Sequence, residues 1–114
     1  MKTVDTSIKI SELSDMATKM YGNLVKAVVD LKKNILVVDA EMHADEEEYL
    51  LENGSEQYDL WGINLYPTKF GTDDFIEFDS MINIRPRQQN LSRGVDNPEI
   101  RKHINTLVKL KVVK

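Results

Sequence analysis

Apolar residues recur along this chain at two different periods, and the switches between them mark its elements. Leu13, Met16, Ala17 and Met20 follow at helical spacing. Ser11 before them offers a hydroxyl for an N-cap, and Gly22 after them supplies a stop, so a helix is expected from Glu12 to Tyr21. Leu24 to Leu31 alternates instead, with Val25, Ala27, Val29 and Leu31 on one face, and Ile35 to Val38 is a second β-branched run. Lys32-Lys33-Asn34 between them reads as a tight hairpin, because Asn tolerates a positive φ. His43 to Gly54 carries two readings. Asp45 and Glu48 have capping-box spacing, Tyr49, Leu50 and Leu51 would face inward, and Asn53-Gly54 would close a helix. A strand ending in an Asn-Gly turn is the competing reading.

Leu60 to Tyr66 and Phe75 to Arg85 read as strands joined by a loop from Pro67 to Asp74. In the second, Ile76, Phe78, Ser80, Ile82 and Ile84 point one way, with Glu77, Asp79, Asn83 and Arg85 opposite, and Pro86 ends the run. After a polar loop from Arg87 to Asp96, Asn97 caps a last helix. Pro98 stands at its first position, and Ile100, Ile104, Leu107 and Val108 form its stripe. The order α-β-β-α-β-β-α implies an α+β fold: a mainly antiparallel sheet with helices packed on one face. There is no internal repeat, linker or low-complexity tract, so residues 1–114 read as a single domain.

A chain of 114 residues is long enough to bury a core without staples. The absence of cysteine excludes disulfides, thiolate metal sites and a cysteine nucleophile. Met1 to Asp15 has no secretion-signal pattern, and no apolar run approaches the ~20 residues of a membrane span. A reducing cytoplasm and no membrane association are expected. The net charge of −4 is unevenly spread. Asp39 to Asp59 holds nine acids and no Lys or Arg, whereas Arg85 to Lys114 holds eight Lys or Arg against Asp96 and Glu99. These segments can neutralise each other within the fold or across a homodimer, or the basic part can meet an anion.

Chemistry concentrates first in Asn83-Ile84-Arg85-Pro86-Arg87-Gln88-Gln89-Asn90-Leu91-Ser92-Arg93, with three guanidiniums, amides and a hydroxyl at a strand end. Arginine forks match carboxylate and phosphate geometry, and loops set by a rigid strand commonly carry binding residues. The structural alternative is that Arg85 and Arg87 pair with the acidic middle segment while the amides satisfy loop backbone. A second candidate is Glu41-Met42-His43-Ala44-Asp45-Glu46-Glu47. There His43 suits a general base oriented by a carboxylate, a metal ligand with Asp45 or Glu46, or simply a turn residue before an acidic helix start. His103 reads as boundary packing, and Trp61-Gly62 as a core anchor beside a small cross-strand neighbour. Ser80 and Ser92 lack a nucleophile elbow, and there is neither a phosphate-cradling glycine loop nor a cofactor motif. A pI of about 5.1 and the lack of aromatics among the arginines argue against nucleic acid.

KAVVDLKKNILVV, EMHADEEEYLLENGSEQYDLWGINLYP and FDSMINIRPRQQNLSRGVDNPEIRKHI resemble a family of short prokaryotic proteins, the domain of unknown function 5674. The resemblance runs from about Leu24 to Ile104. It is most specific at His43 to Asp45, Asp59 to Gly62 and Ile82 to Gln88. It departs before His43, where Val38-Asp39-Ala40 replaces a glycine-rich stretch. It implies a single-domain prokaryotic protein but supplies no activity, cofactor or catalytic residue, though His43 and the polar run fall within its motifs.

The leading functional expectation is a small binding domain for an anionic, phosphate-bearing ligand. Asn83, Arg85, Arg87, Asn90 and Ser92 would hold the ligand, and Glu41, His43 and Asp45 would form an opposing wall. The rivals are an interaction module or homodimer built on the complementary charges, and a hydrolase or nuclease built on His43 and Asp45, with or without a metal.

Overall fold

A computed structural model describes all residues, Met1–Lys114. Ten helices and strands follow in chain order. They are β1 (Lys2–Val4), β2 (Ile8–Lys9), α1 (Ile10–Lys19), β3 (Val25–Asp30) and β4 (Ile35–Val38), then α2 (His43–Glu52), β5 (Leu60–Leu65), β6 (Ile76–Glu77), α3 (Pro98–Lys111) and β7 (Val112–Val113). The α+β class holds, with a five-stranded antiparallel sheet in the order β1-β4-β3-β5-β6. A parallel pair, β2 with β7, joins the two ends of the chain. β1, β2 and β7 are two or three residues long, too short to carry a periodic signal.

The alternation in β3 does more than hide one face. Val25, Ala27 and Val29 join the main core with Leu13 and Ala17 of α1 and Ile104, Leu107 and Val108 of α3. Val28 faces the other way and packs with Val37, Leu50 and Leu60. Thus α1 and α3 cover one face of the sheet, and α2 covers the opposite one. The helices therefore do not all pack on one face as expected, because Val28, Val37 and Leu60 give the second face an apolar patch of its own.

The β3–β4 hairpin turns as expected at Asn34, with φ of 56°. Asp30 stabilises it from below. Its Oδ1 accepts from the amides of Lys32 (2.9 Å) and Lys33 (3.0 Å), and its Oδ2 from the Ser55 hydroxyl (2.6 Å).

The helical reading of 43–54 is the one that forms, although Asp45 and Glu48 do not cap it. Met42 is the N-cap and offers no side-chain bond, which places Asp45 and Glu48 inside the helix. The inward stripe is His43, Glu46 and Leu50, three and four residues apart. Tyr49 and Leu51, expected inside, flank Leu50 by one position each and turn outward, 37% and 41% exposed. Likewise α1 begins at Ile10 with Lys9 as its N-cap, so Ser11 lies within the helix. His103, expected at a packing boundary, is exposed.

The largest departure lies between Phe75 and Arg85. Only Ile76 and Glu77 pair with β5, opposite Leu65 and Asn64. The chain then leaves the sheet and winds into 3-10 turns at Met81–Asn83 and Pro86–Gln88, so Pro86 starts a turn rather than ending a strand. Alternation is lost with the strand: Asn83 and Arg85 are buried, and Ile84 is 40% exposed.

The sheet edge left bare at Gly62 is satisfied by one side chain. Asn83 accepts from the Gly62 amide at 2.8 Å and donates to the Gly62 carbonyl at 2.9 Å, as a neighbouring strand would. The fit requires glycine, because a Cβ on residue 62 would stand 2.6 Å from Ser80 Cβ. Gly62→Ala is therefore expected to lower stability by about 2 kcal/mol. Adding Ser80→Gly should recover part of that loss in urea unfolding. An unchanged midpoint for the single variant would contradict the close fit.

Candidate functional site

The polar run at 83–93 is largely engaged with the protein's own backbone. Besides Gly62, Asn83 donates to the Arg93 carbonyl at 3.0 Å. Asn90, 2% exposed, donates to the carbonyls of Asn83 (2.7 Å), Ser92 (3.2 Å) and Gly94 (2.8 Å) and accepts from the Asp96 amide (2.8 Å). Ser92 donates to Asp96, which also accepts from the Leu91 amide at 3.0 Å. Arg85 is 7% exposed. Its guanidinium lies 4.0 Å from the centre of the Trp61 ring and donates to the carbonyls of Gln57 and Leu60. Burial lowers its pKa, the nearby Glu47 charge opposing. Arg87 is different: it is exposed and has no acidic partner, on a groove of about 610 Å³ that it shares with Gln88, Gln89, Asn90 and Asn97.

The expected opposing wall lies elsewhere. Glu41 and Asp45 border an acidic depression with Asp39, Glu48 and Glu52. His43 turns inward to a separate cleft. The structure thus does not gather Glu41, His43 and Asp45 around Arg85, Arg87, Asn90 and Ser92. Nor do the acidic and basic segments neutralise each other by contact: the two ion pairs are Lys2–Glu12 (2.5 Å) and Arg93–Asp79 (2.6 Å). No three His, Cys, Asp or Glu side chains converge as metal ligands.

The cleft beside His43 encloses about 480 Å³. One wall is the start of α2, and the floor is the outer end of β3 and β5, where Lys26 stands opposite Asn64. The far wall is the chain that left the sheet, including Asp79, Ser80 and Arg93. His43, 7% exposed, donates from Nε2 to the Ile63 carbonyl at 2.8 Å. That bond fixes the Nε2–H tautomer and leaves Nδ1 as an acceptor. Burial lowers the His43 pKa with help from Lys26, against the Ile63 carbonyl, the Asp79 charge and the adjoining Asn64 side chain, so the neutral ring predominates at pH 7. Asn64, 6% exposed, donates from Nδ2 to Glu77 (2.8 Å) and to the Asp79 carbonyl (3.3 Å), while its Oδ1 accepts from no donor. Tyr66 donates to the same Glu77 oxygen at 2.9 Å.

Behind His43, one helical turn on, Glu46 is fully buried and neither carboxyl oxygen has a partner. Burial raises its pKa to about 10, overriding the Ala40 amide, the Met1 ammonium and Lys26, which pull it down.

Asn64, Glu77, Asp79, Tyr66 and Lys26 were not legible as site residues. Asn64 is a lone amide in the apolar run LWGINL, and that interruption was the available signal. Glu46 was hidden among the acids of 45–48, where only the helix register separates the buried one from the solvated ones.

Fold and cleft together define a small α+β domain with a buried histidine and amide opening to solvent. No helix is long and apolar enough to cross a membrane. The chain belongs to the family described as protein of unknown function, DUF5674, matched over residues 2–110, in agreement with the motif resemblance. No curated protein and no solved structure matches it.

Glu46 gives a pH prediction. Its folded pKa lies above the unfolded value of 4.5, so between pH 4.5 and about 10 the native state holds a proton that the unfolded state has lost. Its contribution to stability is complete below pH 4.5 and falls as pH rises, by about 1.4 kcal/mol per unit. Glu46→Gln should therefore gain on the parent as pH goes from 5 to 8, measured by urea unfolding. Parallel stability profiles would show that Glu46 is not buried as the acid.

Proposed function

We propose that this protein is a small-molecule-binding domain whose site is the cleft between the start of α2 and the chain beyond β6. The observation that carries the reading is the convergence of His43 and Asn64, both more than nine-tenths buried, on an open cleft. Burying polar groups costs stability unless their bonds are met, and perturbed groups facing a cleft are characteristic of ligand sites. The cytoplasmic, prokaryotic setting expected from the sequence belongs to this proposal as well.

A fragment screen by amide-resolved NMR tests it. At least one fragment class should shift His43, Asn64, Tyr66 and Ser80 together. Ala44→Trp, at an exposed position on the cleft wall, should fill the space and abolish those shifts without lowering the melting temperature. Fragment shifts that survive in the Ala44→Trp protein would remove the cleft as the site.

A second reading keeps the anionic ligand and narrows it to Arg87, the exposed guanidinium of the run with no acidic partner, on the groove it shares with Gln89 and Asn97. Arg87→Ala should then eliminate pyrophosphate-induced shifts and leave stability within about 0.5 kcal/mol of the parent. Pyrophosphate binding that persists in the variant counts against this groove.

A further inference from the structure

We propose that the cleft beside His43 recognises its ligand through a pair of N–H donors, as presented by an amidinium, a guanidinium or an amino-substituted heterocyclic base. This rests on the reading of the cleft as the binding site and adds the class of ligand.

The direction of hydrogen bonding at the cleft floor carries the inference. The orientation of the Asn64 amide is fixed by its neighbours, because the Glu77 carboxylate and the Asp79 carbonyl only accept. Nδ2 therefore serves both, and Oδ1 is left buried without a donor. His43 is fixed in the same sense: Nε2–H is committed to the Ile63 carbonyl, so Nδ1 presents a lone pair. At the rim, Glu77 accepts from Asn64 and Tyr66 through Oε1, and Asp79 accepts from Arg93 through Oδ1. The second oxygen of each carboxylate receives no protein donor. His43 Nδ1 and these two carboxylate oxygens thus border one cleft as acceptors, while Asn64 Oδ1 itself is closed off from solvent.

The cations nearby do not reverse this. Arg93 is exposed, and its Nε is held by Asp79 at 2.6 Å. The Lys26 ammonium stands 5.1 Å from the centre of the Tyr21 ring, in cation–π contact. An anion would bring further acceptors to His43 Nδ1 and the two carboxylates and meet none of them. A planar N–H pair meets the His43 lone pair and a rim carboxylate together, and the bond to the carboxylate is charge-assisted. A neutral heterocyclic base offers the same N–H edge without the charge.

The test is a matched NMR titration of the full chain at pH 7. Benzamidine and benzoate have nearly the same shape and opposite hydrogen-bonding roles. Isocytosine, with a ring N–H beside its amino group, supplies the neutral N–H pair, and inorganic phosphate the compact anion. Benzamidine or isocytosine should shift His43, Asn64 and Glu77, including the Asn64 side-chain amide, and benzoate and phosphate should not. A response to benzamidine alone assigns a cationic ligand, and a response to isocytosine a heterocyclic base. Glu77→Gln, at an exposed position, should weaken benzamidine about fivefold with little change in melting temperature. If benzoate or phosphate moves these residues and benzamidine and isocytosine do not, the cleft is a site but the donor assignment is overturned. If none of the four probes moves them, the donor assignment is overturned, while the fragment screen still decides whether the cleft is a site. Benzamidine binding undiminished in Glu77→Gln also counts against the assignment.

Discussion

The pairing of the Asn83 side chain with both backbone groups of Gly62 is the interaction on which the rest of this structure depends. A sheet edge must be paired, covered or solvated. Here a single amide pairs it, so the chain is free to leave after Glu77. That departure brings Ser80 against Gly62, carries Arg85 back over Trp61, and folds residues 84–96 into a loop held by Asn90. It also opens the cleft. A longer β6 would run on along β5 where Ser80 and Arg93 now form the far wall beside Asn64 and His43.

Polar residues consequently divide into two groups by what they touch. Asn83, Arg85, Asn90 and Ser92 meet carbonyls, amides and an aspartate of their own chain, and hold a non-repetitive segment in one shape. His43, Glu46 and Asn64 sit beneath α2 or at its first turn with bonds left unmade or charge removed. Groups of the second kind lower stability where they stand, which is the usual signature of a site maintained for something other than folding.

Much of the fold was legible because its longer elements carry clean periodicity. The β3–β4 hairpin, the Asn97 cap and the α3 stripe come directly from residue spacing. The extent of β6 was not legible. Ile76 to Ile84 alternates as a strand should, and nothing local shows that Asn83 will bond to Gly62, twenty-one residues away. The site was obscured for the same reason. Arg85 and Asn90 have the residue types of a ligand loop, and only tertiary contacts reveal them as supports for the backbone. Asn64 gave little local signal, since its role follows from standing opposite Lys26 across β3 and β5 and beside the end of β6.

The central claim is that the cleft floor is built of acceptors, and the protonation of the His43 ring tests it most directly. Nitrogen-15 shifts of the imidazole, followed from pH 8 to pH 4, report which nitrogen holds the proton and when the second proton arrives. The structure predicts a neutral ring at pH 7 with hydrogen on Nε2 and a bare Nδ1, titrating below the ordinary histidine value of 6.5. A proton on Nδ1 in the neutral ring, or a ring already cationic at pH 7, would contradict it.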